Sequence, residues 1–112
     1  MKNIKKMKIN ENASIKKALA IINNGAIKMA IAVNKKNKLI GTLSDGDIRR
    51  GLLKGMNINS SIFSIINKKP LLGKETEDKE KLFRIAKKKK IDHIPIIDNK
   101  GKVIEILQPN YL

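Results

Sequence analysis

The segment 41–51, Gly-Thr-Leu-Ser-Asp-Gly-Asp-Ile-Arg-Arg-Gly, carries most of the chemically useful side chains in this sequence. Its pattern predicts a strand that runs into a helix, a junction where backbone N–H groups and the helix dipole can hold an anion. Because side chains alternate along a strand, Thr42 and Ser44 point to one side and Leu43 points to the core. Asp45 follows at the turn. Its carboxylate could accept hydrogen bonds from both hydroxyls of a ribose, while the two side-chain hydroxyls could reach sugar or phosphate oxygens.

Two arginines follow in the next helical turn, where Arg49 and Arg50 could neutralise a phosphate. A structural role fits the same segment, because Ser44 and Asp47 have the spacing of a helix-capping box. A calcium loop does not fit, since Arg49 stands where such a loop needs an oxygen ligand. By spacing, both the capping box and the ligand site stay open, and capping is the commoner use of this pattern at helix starts.

Catalytic groups are scarce in the rest of the sequence. The chain has no cysteine, which excludes disulfides and thiolate metal sites, and His93 is its one histidine. A metal site needs three or four ligands, and a nucleophilic mechanism needs a base beside a serine or cysteine. We therefore expect no metal site and no catalytic activity from this chain.

The formal net charge of +15 could indicate a nucleic-acid partner. Only three of the 25 basic residues are arginine, however, and the chain has two Phe, one Tyr and no Trp. Nucleic-acid readers use arginine for bidentate contacts and aromatic rings for stacking. The lysines instead fit the Ile, Lys and Asn bias of the whole sequence, which disfavours nucleic acid as a partner.

Length and hydropathy set the remaining limits. A chain of 112 residues suits one compact domain or two very small ones, with little room for a deep catalytic cleft. No apolar run approaches the roughly 20 residues of a membrane span. The basic N-terminus, residues 1–6, lacks the apolar region of a secretory signal. We expect a cytoplasmic protein with no membrane partner.

The chain repeats itself at an offset of 64 residues. At this offset the stretch 31–34 aligns with 95–98, and Ser14 aligns with Asp78 as a helix N-cap. Identities are few, but apolar, turn and capping positions agree without a gap from Ser14 to Leu43. The sequence therefore predicts two copies of one structural unit.

The residue pattern of the repeated unit predicts a helix, a strand, a turn, a strand and a helix, in that order. We assign residues 1–66 to repeat one, with a short connecting helix at 61–66, and residues 67–112 to repeat two. The last helix of repeat one has no counterpart, since Ile48 aligns with the final residue, Leu112. We therefore expect a truncated C-terminal helix and a piece of a longer protein.

The string Gly41-Thr42-Leu43-Ser44-Asp45 resembles the nucleotide motif of CBS domains: glycine, hydroxyl, apolar, hydroxyl, aspartate. The element order, the strand Ile94-Pro95-Ile96-Ile97-Asp98 and the doubling resemble that family too, so the resemblance covers nearly the whole chain. It implies an α/β fold, a CBS-domain pair (Bateman module) of two pseudo-symmetric helix–strand–strand–helix units with small packed sheets. It also implies a homodimer of such pairs.

The resemblance implies roles for individual residues. The aspartate of the motif, here Asp45, typically binds ribose, and the hydroxyl residues, here Thr42 and Ser44, contact ribose or phosphate. Met29 and Ala30 align with strand positions that line the adenine pocket in the family. The ligand implied is an adenine nucleotide (AMP, ADP or ATP) or a related adenosyl compound, with no required cofactor.

Copy two departs from this pattern at all three polar positions, which hold Ile106, Gln108 and Pro109. We therefore expect one nucleotide site, on copy one. The alternative is a structural dimerisation module with a vestigial site.

The longer string from Gly41 to Leu52 is similar to the CBS pair at the N-terminus of bacterial sugar-nucleotidyltransferases. That similarity implies a regulatory module that controls a fused nucleotidyltransferase domain.

Overall fold

The computed structural model describes residues 4–109 of the chain. They form two units: one is Lys5–Pro70, and the other joins Ile4 to the stretch from Leu71 onward. Each unit contains a three-stranded sheet. The predicted mixed α/β class is therefore confirmed.

Two helices of the first unit share an apolar core with its sheet. In chain order its elements are α1 (Ile4–Met7, which begins in the other unit), β1 (Lys8–Asn10), α2 (Ile15–Asn24), β2 (Met29–Val33), β3 (Leu39–Ser44) and α3 (Asp45–Leu53). The sheet order is β1-β2-β3, with β1 parallel and β3 antiparallel to β2. Ile15, Ala18 and Ile22 recur at helical spacing in α2 and lie in one core cluster with Ala30 and Leu43. This core fixes where β3 ends and α3 begins.

The second unit repeats the arrangement without a helix after its last strand in the described part of the chain. Its elements are β4 (Gly73–Lys74), α4 (Lys79–Lys89), β5 (Ile94–Ile97) and β6 (Val103–Leu107), and the sheet order is β4-β5-β6. Leu82 and Ala86 of α4 share a core cluster with Ile94, Ile96 and Leu107. The expected truncated C-terminal helix falls on residues 110–112, which lie outside the described residues.

The 64-residue offset holds in the strand register. It maps the pair Ala30–Leu43 onto the observed pair Ile94–Leu107. It also maps the register shift after Ala32 in β2 onto the register shift after Ile96 in β5. The repeat predicted from the sequence is therefore confirmed as a structural repeat.

The two hairpin turns use the same hydrogen bonds. Asn34 Oδ1 accepts from the backbone N–H groups two and four residues later, and Asp98 Oδ1 does the same in the second unit. Asn37 and Gly101 both take left-handed backbone angles, with φ of 63° and 82°. The bond from Lys102 N–H is the main cause that lowers the pKa of Asp98, because it favours the ionised carboxylate.

The prediction of a connecting helix at residues 61–66 is wrong, because this segment forms turns. The first residue of the segment, Ser61, pairs with Ser14 in an isolated bridge. Asn67, which directly follows the segment, pairs with Thr42 in another. Since both ends are held in extended pairings, a single turn after Ile62 is all that fits between them.

Candidate functional site

The predicted site lies where β3 meets α3, and the segment after repeat one crosses the outer edge of β3 there. Thr42 N–H donates to the Asn67 carbonyl at 3.0 Å, and Asn67 N–H donates to the Thr42 carbonyl at 2.9 Å. Gly41 permits this approach, because a Cβ atom on it would lie 2.3 Å from the Asn67 carbonyl oxygen and 2.4 Å from Ile66 Cγ2. The glycine of the motif is therefore required for packing.

The Thr42 hydroxyl has its hydrogen-bonding capacity unused. The residue is 7% exposed, and its side chain makes no hydrogen bond to any residue from 4 to 109. Within that range no fully buried side-chain nitrogen or oxygen lacks a partner, so the Thr42 oxygen must keep some contact with solvent. A hydroxyl that is nearly buried, fixed by backbone pairing and free to donate and accept is suited to bind a ligand.

Ser44 serves as the N-cap of α3, so the capping box that the spacing left open is present. Its hydroxyl accepts from Asp47 N–H at 3.3 Å and donates to Asp47 Oδ2 at 3.0 Å, and its own N–H donates to Asp47 Oδ2 at 2.9 Å. These bonds use the hydroxyl proton and one lone pair. A ligand donor could reach the remaining lone pair of Ser44.

The two arginines are both paired with carboxylates of the same helix. Arg49 pairs with Asp45 four residues earlier, and the two side chains are 68% and 57% exposed. Arg50 pairs with Asp47, with Nη2 at 2.7 Å from Oδ1. The two ion pairs balance the charges of these four side chains, and each guanidinium keeps further N–H groups that a phosphate could contact.

The side chains of Met29 and Ala30 lie in different positions relative to the site. Met29 begins β2 and pairs directly with Ser44, so its half-buried side chain lies beside the hydroxyl residues. Ala30 pairs with Leu43, and its side chain is fully buried in the core cluster. A ligand at this junction could contact the Met29 side chain, but the only part of Ala30 that it could contact is the backbone.

The matching position in the second unit has different chemistry. Ile106 is buried where Thr42 stands in the first unit, and Pro109 replaces Asp45. Gln108 and His93 correspond to Ser44 and Met29, and their Nε2 atoms lie 3.2 Å apart. The Asp45 carboxylate and the free Thr42 hydroxyl of the first unit have no counterpart here.

Asn67 is the residue that the sequence interpretation missed. It fixes Thr42 through its backbone, and its own side chain accepts a hydrogen bond from Lys69 N–H, which forms a local turn. An asparagine after two apolar residues and shortly before Pro70 is a turn signal in the sequence. That signal does not reveal which strand the turn contacts.

Two classes of site find no support in the described residues. Between residues 4 and 109, no three His, Asp or Glu side chains lie together as metal ligands would. No helix in that range is long and apolar enough to cross a membrane.

Comparisons with known proteins show which sequences and folds this chain is similar to. Residues 3–54 match the family model described as "CBS domain". The whole described fold, with its two three-stranded sheets, is that of a CBS-domain pair. A CBS-domain protein from Pyrobaculum aerophilum, solved in complex with AMP, matches 96% of this chain and 87% of its own length at 14% identity, with a TM-score of 0.79.

A second solved structure is similar to the same extent. The CBS-domain pair of protein MJ0100, solved with 5-methylthioadenosine and S-adenosyl-L-methionine, matches 92% of this chain and 81% of its own length. Its identity is 22% and its TM-score is 0.78. At such identities these likenesses establish the fold.

Among curated proteins, two sequences described as uncharacterised, from two strains of Helicobacter pylori, are 32% identical over 102 residues, which is 90% of this chain. A protein of Rickettsia prowazekii, also described as uncharacterised, is 27% identical over 89 residues, or 80% of this chain. The chain spans about a third of the length of these relatives, namely 31%, 31% and 28%.

Proposed function

We propose that this chain is a regulatory module that binds an adenine nucleotide or a related adenosyl ligand on its first repeat. The observation that carries the proposal is the β3–α3 junction, which has a free Thr42 hydroxyl and an exposed Asp45 carboxylate, with Met29 paired to Ser44 between them. Proteins of the same fold solved with AMP, S-adenosyl-L-methionine or ATP support an adenosyl ligand.

Each residue of the proposed site has a role suited to its environment. Asp45 accepts hydrogen bonds from the ribose diol, the free Thr42 hydroxyl donates to a ribose or phosphate oxygen, and the remaining lone pair of Ser44 accepts from a ribose hydroxyl. The adenine ring packs against the Met29 side chain and the backbone at Ala30. Arg49 and Arg50 lie one helical turn further on and neutralise the phosphate.

Isothermal titration calorimetry with AMP, ADP, ATP and S-adenosylmethionine tests the site. We expect at least one ligand to bind with a Kd below about 1 mM, which corresponds to about −4 kcal/mol. We also expect Asp45→Ala to weaken binding by tenfold or more, since hydrogen bonds to a charged group contribute about 1.5–3 kcal/mol. The matched control is Asp92→Ala, an exposed aspartate of the second unit. Absence of binding, or equal effects of the two substitutions, would disprove the proposed site.

A structural dimerisation module with a vestigial site is the second candidate. It is favoured by the engagement of Ser44 with Asp47 and of Asp45 with Arg49, and by the loss of the motif in copy two. A bound ligand raises the free energy of unfolding by mass action, by about 2.7 kcal/mol at one hundred times its Kd, and the melting temperature rises with it. Thermal melts with each nucleotide, combined with light scattering to measure oligomeric state, separate the candidates: a dimer with no shift supports the structural role.

We further propose that the two repeats, residues 1–66 and 67–112, act in a cytoplasmic homodimer and control a nucleotidyltransferase domain in a longer protein. The curated relatives extend well beyond the stretch matched by this chain, which leaves length for such a domain. Regulation requires that the ligand bind two states of the longer protein with different affinity. Nucleotidyl transfer measured in the full-length protein, with and without adenine nucleotide, tests this proposal, and an unchanged rate would contradict it.

A further inference from the structure

Arg49 and Arg50 are adjacent in α3, but their surroundings differ. Both side chains are largely exposed, at 68% and 66%, and each pairs with a carboxylate one turn earlier. The carboxylates are not equivalent. One of them, Asp47, belongs to the helix cap, and the other, Asp45, is the proposed ribose ligand.

Arg50 belongs to the capping network of α3. It pairs with Asp47 Oδ1, while Asp47 Oδ2 accepts the hydrogen bonds from Ser44 that close the capping box. The Arg50 guanidinium also covers the helix start, where its Nη1 lies 3.3 Å from the place that a Cβ atom on Gly46 would occupy. A change of partner by Arg50 would therefore remove one contact of Asp47, the residue that closes the cap.

Arg49 is held by Asp45 in an ion pair between side chains that are both more than half exposed. Asp45 accepts no other side-chain hydrogen bond from residues 4–109, and Arg49 donates none to another side chain in that range. Exposed ion pairs spaced four apart in a helix are weak, because water and salt screen them. This pair can open at small cost without affecting the capping box.

We propose that Arg49 makes the site select ligands that carry a 5′-phosphate, by exchanging Asp45 for the phosphate. This inference rests on the proposed function, in which the ribose diol takes the Asp45 carboxylate. When the diol occupies Asp45, the guanidinium of Arg49 loses its partner. A phosphate supplies a new anion for it, whereas adenosine leaves the guanidinium without one.

The exchange has opposite consequences for two ligands when Arg49 is removed. Adenosine no longer competes with Arg49 for the carboxylate, so Arg49→Ala should bind adenosine about twofold more tightly, the size expected from a helical ion pair. AMP loses a charge-assisted contact, so the same variant should bind AMP about fivefold more weakly. The preference for AMP over adenosine therefore falls about tenfold.

Calorimetric titration of AMP and adenosine into the wild type, Arg49→Ala, Arg49→Gln and Arg84→Ala tests this inference, with circular dichroism to verify folding. Arg84 is the matched control, an exposed arginine on α4 in the second unit, and its removal should leave both affinities unchanged. If neither variant of Arg49 lowers the AMP preference of a wild type that binds AMP, the inference fails and the proposed function stands. An equal drop in Arg50→Ala would assign the preference to shared positive charge and overturn the role of Arg49. If the wild type binds no nucleotide, both proposals fall.

Discussion

Replacement of Gly41 by alanine should destabilise the first unit, because the crossing segment occupies the space that a side chain would need. The new Cβ would lie 2.3 Å from the Asn67 carbonyl oxygen and 2.4 Å from Ile66 Cγ2. Optimal separations of such atoms are about 3.5–4 Å. Residues 66 and 67 would therefore have to move by more than about 1 Å, which separates Asn67 from Thr42.

The magnitude follows from three contributions. Overpacking costs about 1–3 kcal/mol. The two backbone hydrogen bonds between Thr42 and Asn67 contribute about 0.5–1.5 kcal/mol each. Alanine recovers about 0.5–1 kcal/mol through the lower conformational entropy of the unfolded chain. These contributions sum to about 1–5.5 kcal/mol, and from their middle values we expect Gly41→Ala to lower the free energy of unfolding by about 3 kcal/mol.

Urea unfolding followed by circular dichroism measures this effect. With an m-value of roughly 1.5 kcal/mol/M, the midpoint should fall by about 1–3 M with the slope unchanged. The matched control is Gly46→Ala in α3, where the new Cβ would meet the flexible end of Arg50 at 3.3 Å. Because alanine favours helix over glycine by up to about 1 kcal/mol, this control should be neutral or stabilising. A Gly41→Ala variant within about 0.5 kcal/mol of the wild type would refute the argument that the glycine is required for packing.

Three further tests address separate features of the fold. Ser44→Ala should lower the free energy of unfolding by about 1 kcal/mol and Ser44→Asp should restore most of it, because Ser44 is the N-cap of α3; thermal melts compare the two. Lys90→Gly should stabilise the second unit by about 0.5–1 kcal/mol in urea titrations, since Lys90 ends α4 with φ of 58°. Asn37→Gly should raise the free energy of unfolding by less, because asparagine tolerates its φ of 63°. Equal effects of the two substitutions would contradict this reasoning. The lowered pKa of Asp98 means that its contribution to stability is present above its unfolded pKa of about 3.9 and is lost as pH falls through the folded value. Asp98→Asn keeps the turn, as Asn34 does in the first unit, so stability measured from about pH 5 to pH 2 should fall less steeply in the variant; parallel curves would disprove the link.

The fold was largely predictable from the sequence because its signals are local and occur twice. The N-caps Ser14 and Asp78 begin α2 and α4, and the 64-residue offset reproduces the register of the strands. Two imperfect copies that place apolar, turn and capping residues at the same positions reinforce each other as evidence. The prediction of a connecting helix at residues 61–66 was wrong because this segment is held at both ends by pairing with Ser14 and Thr42, which are distant in sequence.

The local geometry of the candidate site was more predictable than the partners of its side chains. The strand-to-helix junction and the capping box of Ser44 and Asp47 follow from spacing, and both are present. The ion pairs of Arg49 and Arg50 do not follow, since each arginine has several carboxylates within reach in the sequence. The burial of the Ala30 side chain in the core was also decided by the tertiary structure.

The sequence by itself predicted the repeated helix–strand–strand units and, in the first repeat, a strand-to-helix junction with hydroxyl and carboxylate side chains. Local propensity and a repeated pattern suffice for these features, because each depends on residues close in the chain. Only the tertiary structure decided that Asn67 fixes Thr42, that Gly41 makes room for it, and that the Thr42 hydroxyl stays free while Ser44 and Asp45 are engaged. These outcomes depend on which segments approach β3, and that is set by packing between residues far apart in sequence.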